Sequence, residues 1–349
     1  MSIYLISNRE VLNEHNTERF AVKGKEKALP KFRVAKCTIK DNQKYADYEI
    51  LNDQYPADYT DVVDAIDDPQ KAKELSGTSS MFYDLYNQMI TSKGKKSDVL
   101  VFIHGFANSF DDNLEHIATL YHTFMNVTNS PIKHLVFIAW PTRNHKVLTY
   151  WNDQKDAWET GRLLARVYEK LLDFFVEMFK KHSMENCRNK IHLAAHSMGN
   201  QVLASMLQNI NKKIYPFFSE ILLLHSDVED NAFENDEPFS KLEKLAERTH
   251  VYIHKSDDAL FISRFTKNFN KRLGKKGPLN YDSLNNETYV IDVSNLRTGE
   301  NFKERLFDHW GYKESNTMVN DILEVLKGTD IEHIAKRKKI KNKLFRLEE

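Results

Sequence analysis

Ile191-His192-Leu193-Ala194-Ala195-His196-Ser197-Met198-Gly199-Asn200 is the stretch that decides the fold. A short apolar run ends at a serine, and a helical pattern begins at Met198. A buried strand, a serine on a tight turn and then a helix is the context in which a serine hydroxyl is lifted clear of a sheet as a nucleophile. The turn brings the residues two before and two after the serine close to neighbouring backbone, so both must be small. Ala195 and Gly199 meet that demand, with alanine where glycine is more common. The plainer reading is a serine that caps the helix starting at Met198.

Outward from this segment the pattern repeats. Val99 to Ile103, Leu135 to Ala139, Ile221 to Leu224, Val251 to His254 and Tyr289 to Val293 are short apolar runs. Between them lie helical patterns over about 111–127, 152–182, 239–247 and 314–327. In the longest, Leu164, Tyr168, Leu171, Phe175 and Met178 form a stripe at steps of three and four. Apolar strands alternating with helices imply an α/β fold whose mostly parallel central sheet is covered on both faces. Ligands of such sheets bind at the carboxyl ends of the strands. Residues 1–95 are less legible, with strands expected at Ile3 to Ile6 and Tyr45 to Leu51 and a helix over 79–90.

The segment Phe102-Ile103-His104-Gly105-Phe106-Ala107-Asn108 follows an earlier strand, one βα unit before the serine. Acyl transfer builds negative charge on oxygen, which waiting N–H groups must hold. The amides of Met198, directly after the serine, and of Phe106, beyond the turn at Gly105, are the two candidates. An ordinary strand-to-loop turn is the alternative.

Taken together, several motifs carry a resemblance. They are Phe102 to Phe110, Ala139-Trp140-Pro141, Tyr150-Trp151-Asn152-Asp153, Ala195 to Asn200, Ser226-Asp227-Val228, Ser256 to Leu260, Arg272-Leu273-Gly274 and Asp308-His309. The chain resembles a group of esterase/lipase-like α/β hydrolases of mostly unassigned substrate, over about residues 98–327. The resemblance implies the α/β-hydrolase fold, a serine hydrolase with a Ser-Asp-His triad, and no cofactor. Ser197 would be the nucleophile and Asp257 the acid. Asp258, one residue on, and Asp227, after the preceding strand, stay open as alternative acids. The base must follow the last strand, where only His309 and His333 remain of fourteen histidines; the resemblance places it at His309. His104, Gly105 and His196 flank these turns as pocket-lining or structural residues. Only a short helix fits between Asp227 and Val251, so no large lid is expected there.

Trp140 and Trp151 are candidates for lining an acyl or aromatic pocket, with packing at the edge of the core as the alternative. Arg264 and Arg272, with Lys267, Lys271, Lys275 and Lys276, are candidates for holding an anionic group, against a solvated loop. No metal-ligand motif of the HExxH or paired CxxC kind is present.

Composition bounds the rest. The chain has 349 residues, 41% hydrophobic and 29% charged, which allows a sizeable core. Fifty basic residues balance fifty acidic ones, so net charge favours no partner class. Cys37 and Cys187 are the only cysteines and suggest no disulfide framework. With no signal peptide or membrane helix apparent, a soluble cytoplasmic protein is expected. The division expected is one domain over 1–329, comprising N-terminal elements (1–95) and a catalytic core (96–329), and a basic tail over 330–349 read as a surface helix. Contact of this tail with an anionic surface is the alternative; nucleic acid is not expected. The function implied is hydrolysis of an ester, whether carboxylester, lipid or thioester. An acyltransferase, an amidase or peptidase on the same residues, and a non-catalytic binding scaffold are the competing readings.

Overall fold

The computed structural model describes residues 1–14, 17–22, 28–40, 42–52, 59–92, 95–143, 149–182, 188–257, 271–296 and 307–349. Thirteen strands occur among them: β1 (Ser2–Ser7), β2 (Val11–Glu14), β3 (Thr17–Phe20), β4 (Arg33–Thr38), β5 (Asp47–Ile50), β6 (Asp98–Ile103), β7 (Ile132–Ile138), β8 (Ile191–His196), β9 (Phe218–Leu224), β10 (Ala246–Ile253), β11 (Thr288–Asp292), β12 (Arg337–Lys341) and β13 (Leu344–Leu347). Eleven form one sheet in the order β12-β13-β11-β10-β9-β8-β6-β7-β1-β4-β5, and β2 pairs with β3 in a separate hairpin. From β13 to β1 every neighbour is parallel. The outer strands β12, β4 and β5 are antiparallel to their neighbours.

Apolar residues at period two divide each central strand between two faces. Val99 and Ile103 of β6 join Leu193, Leu223 and Val251 in one core. Helices Gly77–Ile90, Tyr150–His182 and Gly199–Asn209 cover that face. Leu100 and Phe102 join Phe137, Leu222 and Tyr252 in the other core, under helices Phe110–Leu120 and Asn316–Leu326. A capping box at Ser109 and Asp112 starts the first of these two helices.

The chain leaves β6 toward β7 on one side and returns as β8 on the other. The loops that follow β6 and β8 therefore diverge, opening a crevice at the carboxyl ends of the two strands. Ile103 pairs with Ala195 at its lip.

The expected elements of residues 98–327 are present, including the short helical stretch between β9 and β10, at Pro238–Lys241 and Leu242–Leu245. The N-terminal region adds β4, the β2–β3 hairpin and helix Tyr59–Asp67, which periodicity did not disclose. The C-terminal expectation needs correction. Residues 337–347 are not a surface helix but two strands, with β13 parallel to β11 and β12 outside it. Phe345 and Leu347 are buried at period two, and Arg337 reaches inward to a bidentate pair with Asp321, Nε–Oδ1 2.6 Å and Nη2–Oδ2 2.7 Å. Lys338, Lys339 and Lys341 stay exposed on strand β12.

Among the described residues, no helix is long and apolar enough to cross a membrane. A cavity of about 150 Å³ lies between the sheet and helices Gly77–Ile90 and Tyr150–His182; Val101, Val136, Leu85 and Leu171 are among its apolar lining.

Candidate active site

Ser197 follows β8 directly and has φ 52°, the left-handed region that a non-glycine residue occupies only under constraint. Two backbone hydrogen bonds hold it there: its amide donates to Leu224 O at 2.9 Å, and its carbonyl accepts the Asp227 amide at 3.1 Å. The helix that follows begins at Gly199, and its N-cap Met198 receives no side-chain cap bond. The geometry is that of an elbow rather than a capping serine. Gly199 shows why small residues flank it, since a Cβ there would stand 2.6 Å from the carbonyl oxygens of both Ile103 and His104.

Across the crevice, Gly105 lies against Ser197 and His196, and Ala107 has φ 61°. No acceptor among the described residues takes the amide of Phe106 or of Met198. The turn is fastened from beneath. Trp140 is fully buried, stacks on His104 with ring centroids 5.2 Å apart, and donates Nε1–H to His104 O at 2.7 Å. Burial, aided by the Arg9 guanidinium, pulls the His104 imidazole down to about 3, so it stands neutral. Arg9, itself buried at the end of β1, donates Nη2–H to Asn108 O and Trp140 O, each at 3.3 Å.

Asp257 lies just beyond β10 and is fully buried. His309 sits in the short 3-10 turn Phe307–Trp310 after β11, and its Nδ1 is 2.6 Å from Asp257 Oδ2. Nδ1 thus donates to the carboxylate, leaving Nε2 as the second ring nitrogen. His309 is also held through its backbone, because His196 Nε2–H donates to His309 O at 2.9 Å. The two rings are 4.7 Å apart. His196 is buried, which pulls its imidazole well below the ordinary histidine range and keeps it neutral. Burial alone would push the Asp257 carboxyl up. His309 and a second histidine, His225, outweigh it and hold the carboxyl well below the usual carboxylate range.

His225 was not among the residues that sequence reasoning selected. It ends the β9 run one position before Ser226-Asp227, and its Nδ1 is 3.2 Å from the same Oδ2 of Asp257. Sequence offered only its place at the carboxyl end of a buried strand. His225, Asp257 and His309 are the described side chains whose donor atoms gather closely enough to suggest a metal ion. A separation of 2.6 Å between Nδ1 and Oδ2 is a hydrogen bond, however, shorter than the spacing of two ligands around one zinc ion.

The alternative acid Asp227 is occupied elsewhere. Its Oδ1 is 3.1 Å from Nε of Arg272, and Oδ2 accepts from Tyr150 Oη at 2.8 Å and Gln201 Nε2 at 3.3 Å. Arg272 is 2% exposed, so it braces Asp227 rather than facing an anionic ligand. Trp140 belongs to the core beneath the turn, and Trp151 is 53% exposed in the first turn of its helix. Lys275 donates from Nζ to Asp257 O at 2.8 Å. Asp258 and Arg264 lie outside the described residues.

The structure therefore brings Ser197, His196, Gly105 and the Asp257–His309 pair to one crevice, and draws Asp227 with Arg272 into a separate buried network. The comparison with curated proteins returns no match. Residues 83–326 match the model of a family described as alpha/beta hydrolases of unknown function (DUF900). With most of its length matched, and with a large parallel sheet carrying these loops, the chain is a member of that alpha/beta hydrolase family.

Proposed function

We propose that the protein is a serine hydrolase that cleaves an ester (a carboxylester, a lipid or a thioester) through Ser197, His309 and Asp257. The observation that carries this reading is the 2.6 Å Asp257–His309 hydrogen bond, joined through the His309 carbonyl to His196, the residue directly before a serine in a left-handed turn. Asp257 fixes His309 in the tautomer whose Nε2 is unprotonated, the form a general base needs.

In this reading His309 Nε2 takes the proton from Ser197 Oγ, and Oγ bonds to the acyl carbon. The carbonyl oxygen gains the negative charge and is held by the amides of Phe106 and Met198. His309 then gives the proton to the leaving oxygen or sulfur as its bond to the acyl carbon breaks. Water, deprotonated in turn by His309, releases the acid and restores Ser197. The partner proposed is a small-molecule or lipid acyl compound. A separate acceptor replacing water would make the same residues an acyltransferase, and an amide substrate would make them an amidase or peptidase.

The test is covalent labelling by a fluorophosphonate, read by intact mass on the wild type and on Ser197→Ala. One adduct on the wild type and none on the variant is expected. Equal labelling of both, or none on a folded wild type, would overturn the proposal in favour of a binding scaffold.

A further inference from the structure

Asp257 Oδ2 is claimed twice. His309 Nδ1 approaches it at 2.6 Å and His225 Nδ1 at 3.2 Å, and all three side chains are buried. A second imidazole on the acid of the proposed triad is not needed to orient the base, since one hydrogen bond does that.

The fold also constrains His225 to be there. Its φ is 45°, again left-handed for a non-glycine residue. Its amide donates to Tyr252 O at 3.2 Å across the β9–β10 boundary. Gly274 presses on its backbone so closely that a Cβ would stand 2.4 Å from the carbonyl carbon of His225. A costly backbone conformation, held by the next strand and by a position only glycine fits, aims this ring at the carboxylate.

We propose that His225 is a positioning residue of the active site, donating Nδ1–H to Asp257 Oδ2 so that the acid's charge is shared between two imidazoles. The inference rests on the serine-hydrolase reading. Sharing has two consequences. The carboxylate is locked with Oδ2 toward His309 and stays ionised although buried. Its charge also does not fall on His309 alone, so a variant that lacks the second donor should need a higher pH to react.

Among the described residues, the groups facing this cluster from neighbouring elements are few. His196 from β8 lies 6.4 Å from His225 by ring centroids. His254, after β10, lies 6.3 Å from it. Lys275, after Gly274, donates to Asp257 O, and Tyr312 lies 4.8 Å from His196.

The test uses the full chain and the rate of fluorophosphonate labelling as a function of pH. His225→Phe keeps a ring and loses the donor. The midpoint of its acid limb is expected to rise by about half a unit to one unit, with labelling near pH 6 several-fold slower. His225→Asn, whose amide N–H stands near the place of Nδ1, should return the midpoint toward the wild type. An unmoved midpoint in folded His225→Phe, or an Asn variant no better than Phe, would overturn the proposal.

A second measurement needs no variant. Nitrogen-15 NMR of the histidine rings should show His225 at neutral pH with its proton on Nδ1. A proton on Nε2 and none on Nδ1 would overturn the assignment whether or not Ser197 reacts. Failure of the wild type to label would instead strike the serine-hydrolase reading, and with it the pH role of His225.

Discussion

The carbonyl oxygen of His104 stands 2.6 Å from the point where a Cβ on Gly199 would lie. The turn after β6 and the first residue of the helix after Ser197 are therefore packed backbone against backbone. Their relative position is fixed by the absence of one methyl group. Neither a strand end nor the first turn of a helix that is buried from Gly199 to Leu207 can easily give way. Gly199→Ala is expected to lower stability by about 2 kcal/mol or more, as overpacking of a dense core does. The loss would be read from urea unfolding, and what folds should label poorly because the turn at Gly105 is displaced.

The two buried acids at the ends of β9 and β10 give opposite expectations. Asp257→Asn leaves the ring of His309 without its orienting carboxylate, and the labelling rate of the folded protein should fall by about 10³-fold or more. Asp227→Asn leaves the buried guanidinium of Arg272 without its counter-ion, at a cost of about 3 kcal/mol of stability. Its folded fraction should still label. The reverse pattern would make Asp227 the acid.

Acid should weaken the fold from about pH 6.5 downward, with the Asp153 carboxyl, pushed up to about 7 by burial, offsetting part of the loss. Burial pulls His104 down to about 3 and His134 to about 4, and His116 and His196 well below the ordinary value. In the unfolded chain each takes a proton near pH 6.5. Below that pH the unfolded state binds more protons than the folded one, so stability falls with each unit of acidification. Each of the four contributes up to about 1.4 kcal/mol per pH unit, in a window running from about 6.5 down to its folded value. Asp257, depressed in the folded state, adds stability above its unfolded value and loses it only at the acid extreme. Urea midpoints measured from pH 8 to pH 5 should fall steeply below about 6.5, and a flat profile would contradict the neutral burial of these rings.

Arg337 and Asp321 are both buried and joined by two hydrogen bonds, with Tyr252 donating to Asp321 Oδ2 at 2.6 Å. Arg337→Ala should cost about 3 to 5 kcal/mol, because it leaves a buried carboxylate unpaired. A change below 1 kcal/mol, as for an exposed basic residue, would mean that the C-terminal strands do not dock as described.

Val101 is in the middle of the central strand β6, yet it lines the apolar cavity under helix Tyr150–His182. Val101→Ile keeps the β-branch and places one methylene in that space. Thermal unfolding should shift to higher temperature, corresponding to about 0.5 to 1 kcal/mol.

The core of the fold was legible because its strands are buried on both faces and read as unbroken apolar runs, as at Val99 to Ile103 and Ile191 to Ala195. Ser197 was legible for the same reason, as a polar residue where such a run meets a helix. The edges were not. In β4, Lys36 and Thr38 stand exposed beside buried Ala35 and Cys37, a half-buried alternation too short to separate from a loop. In the tail, the charges of Lys338, Lys339 and Lys341 hid the two-residue period of Phe345 and Leu347. His225 was illegible in a different way. Its role depends on a backbone angle and on the ring of His309, placed beside it only by the order of the strands. Arg272 misled because its charge suggested a ligand while Asp227, distant in sequence, was its partner.

The outermost strand, Arg337–Lys341, decides how the protein behaves at high concentration. A chain with balanced charge has little overall repulsion to keep its copies apart, and an open sheet edge is a ready template for another chain. Here Lys338, Lys339 and Lys341 line that edge, and two copies brought edge to edge would set lysine against lysine. The short basic strand works as a terminator, ending the sheet where a more apolar strand would have invited it to grow.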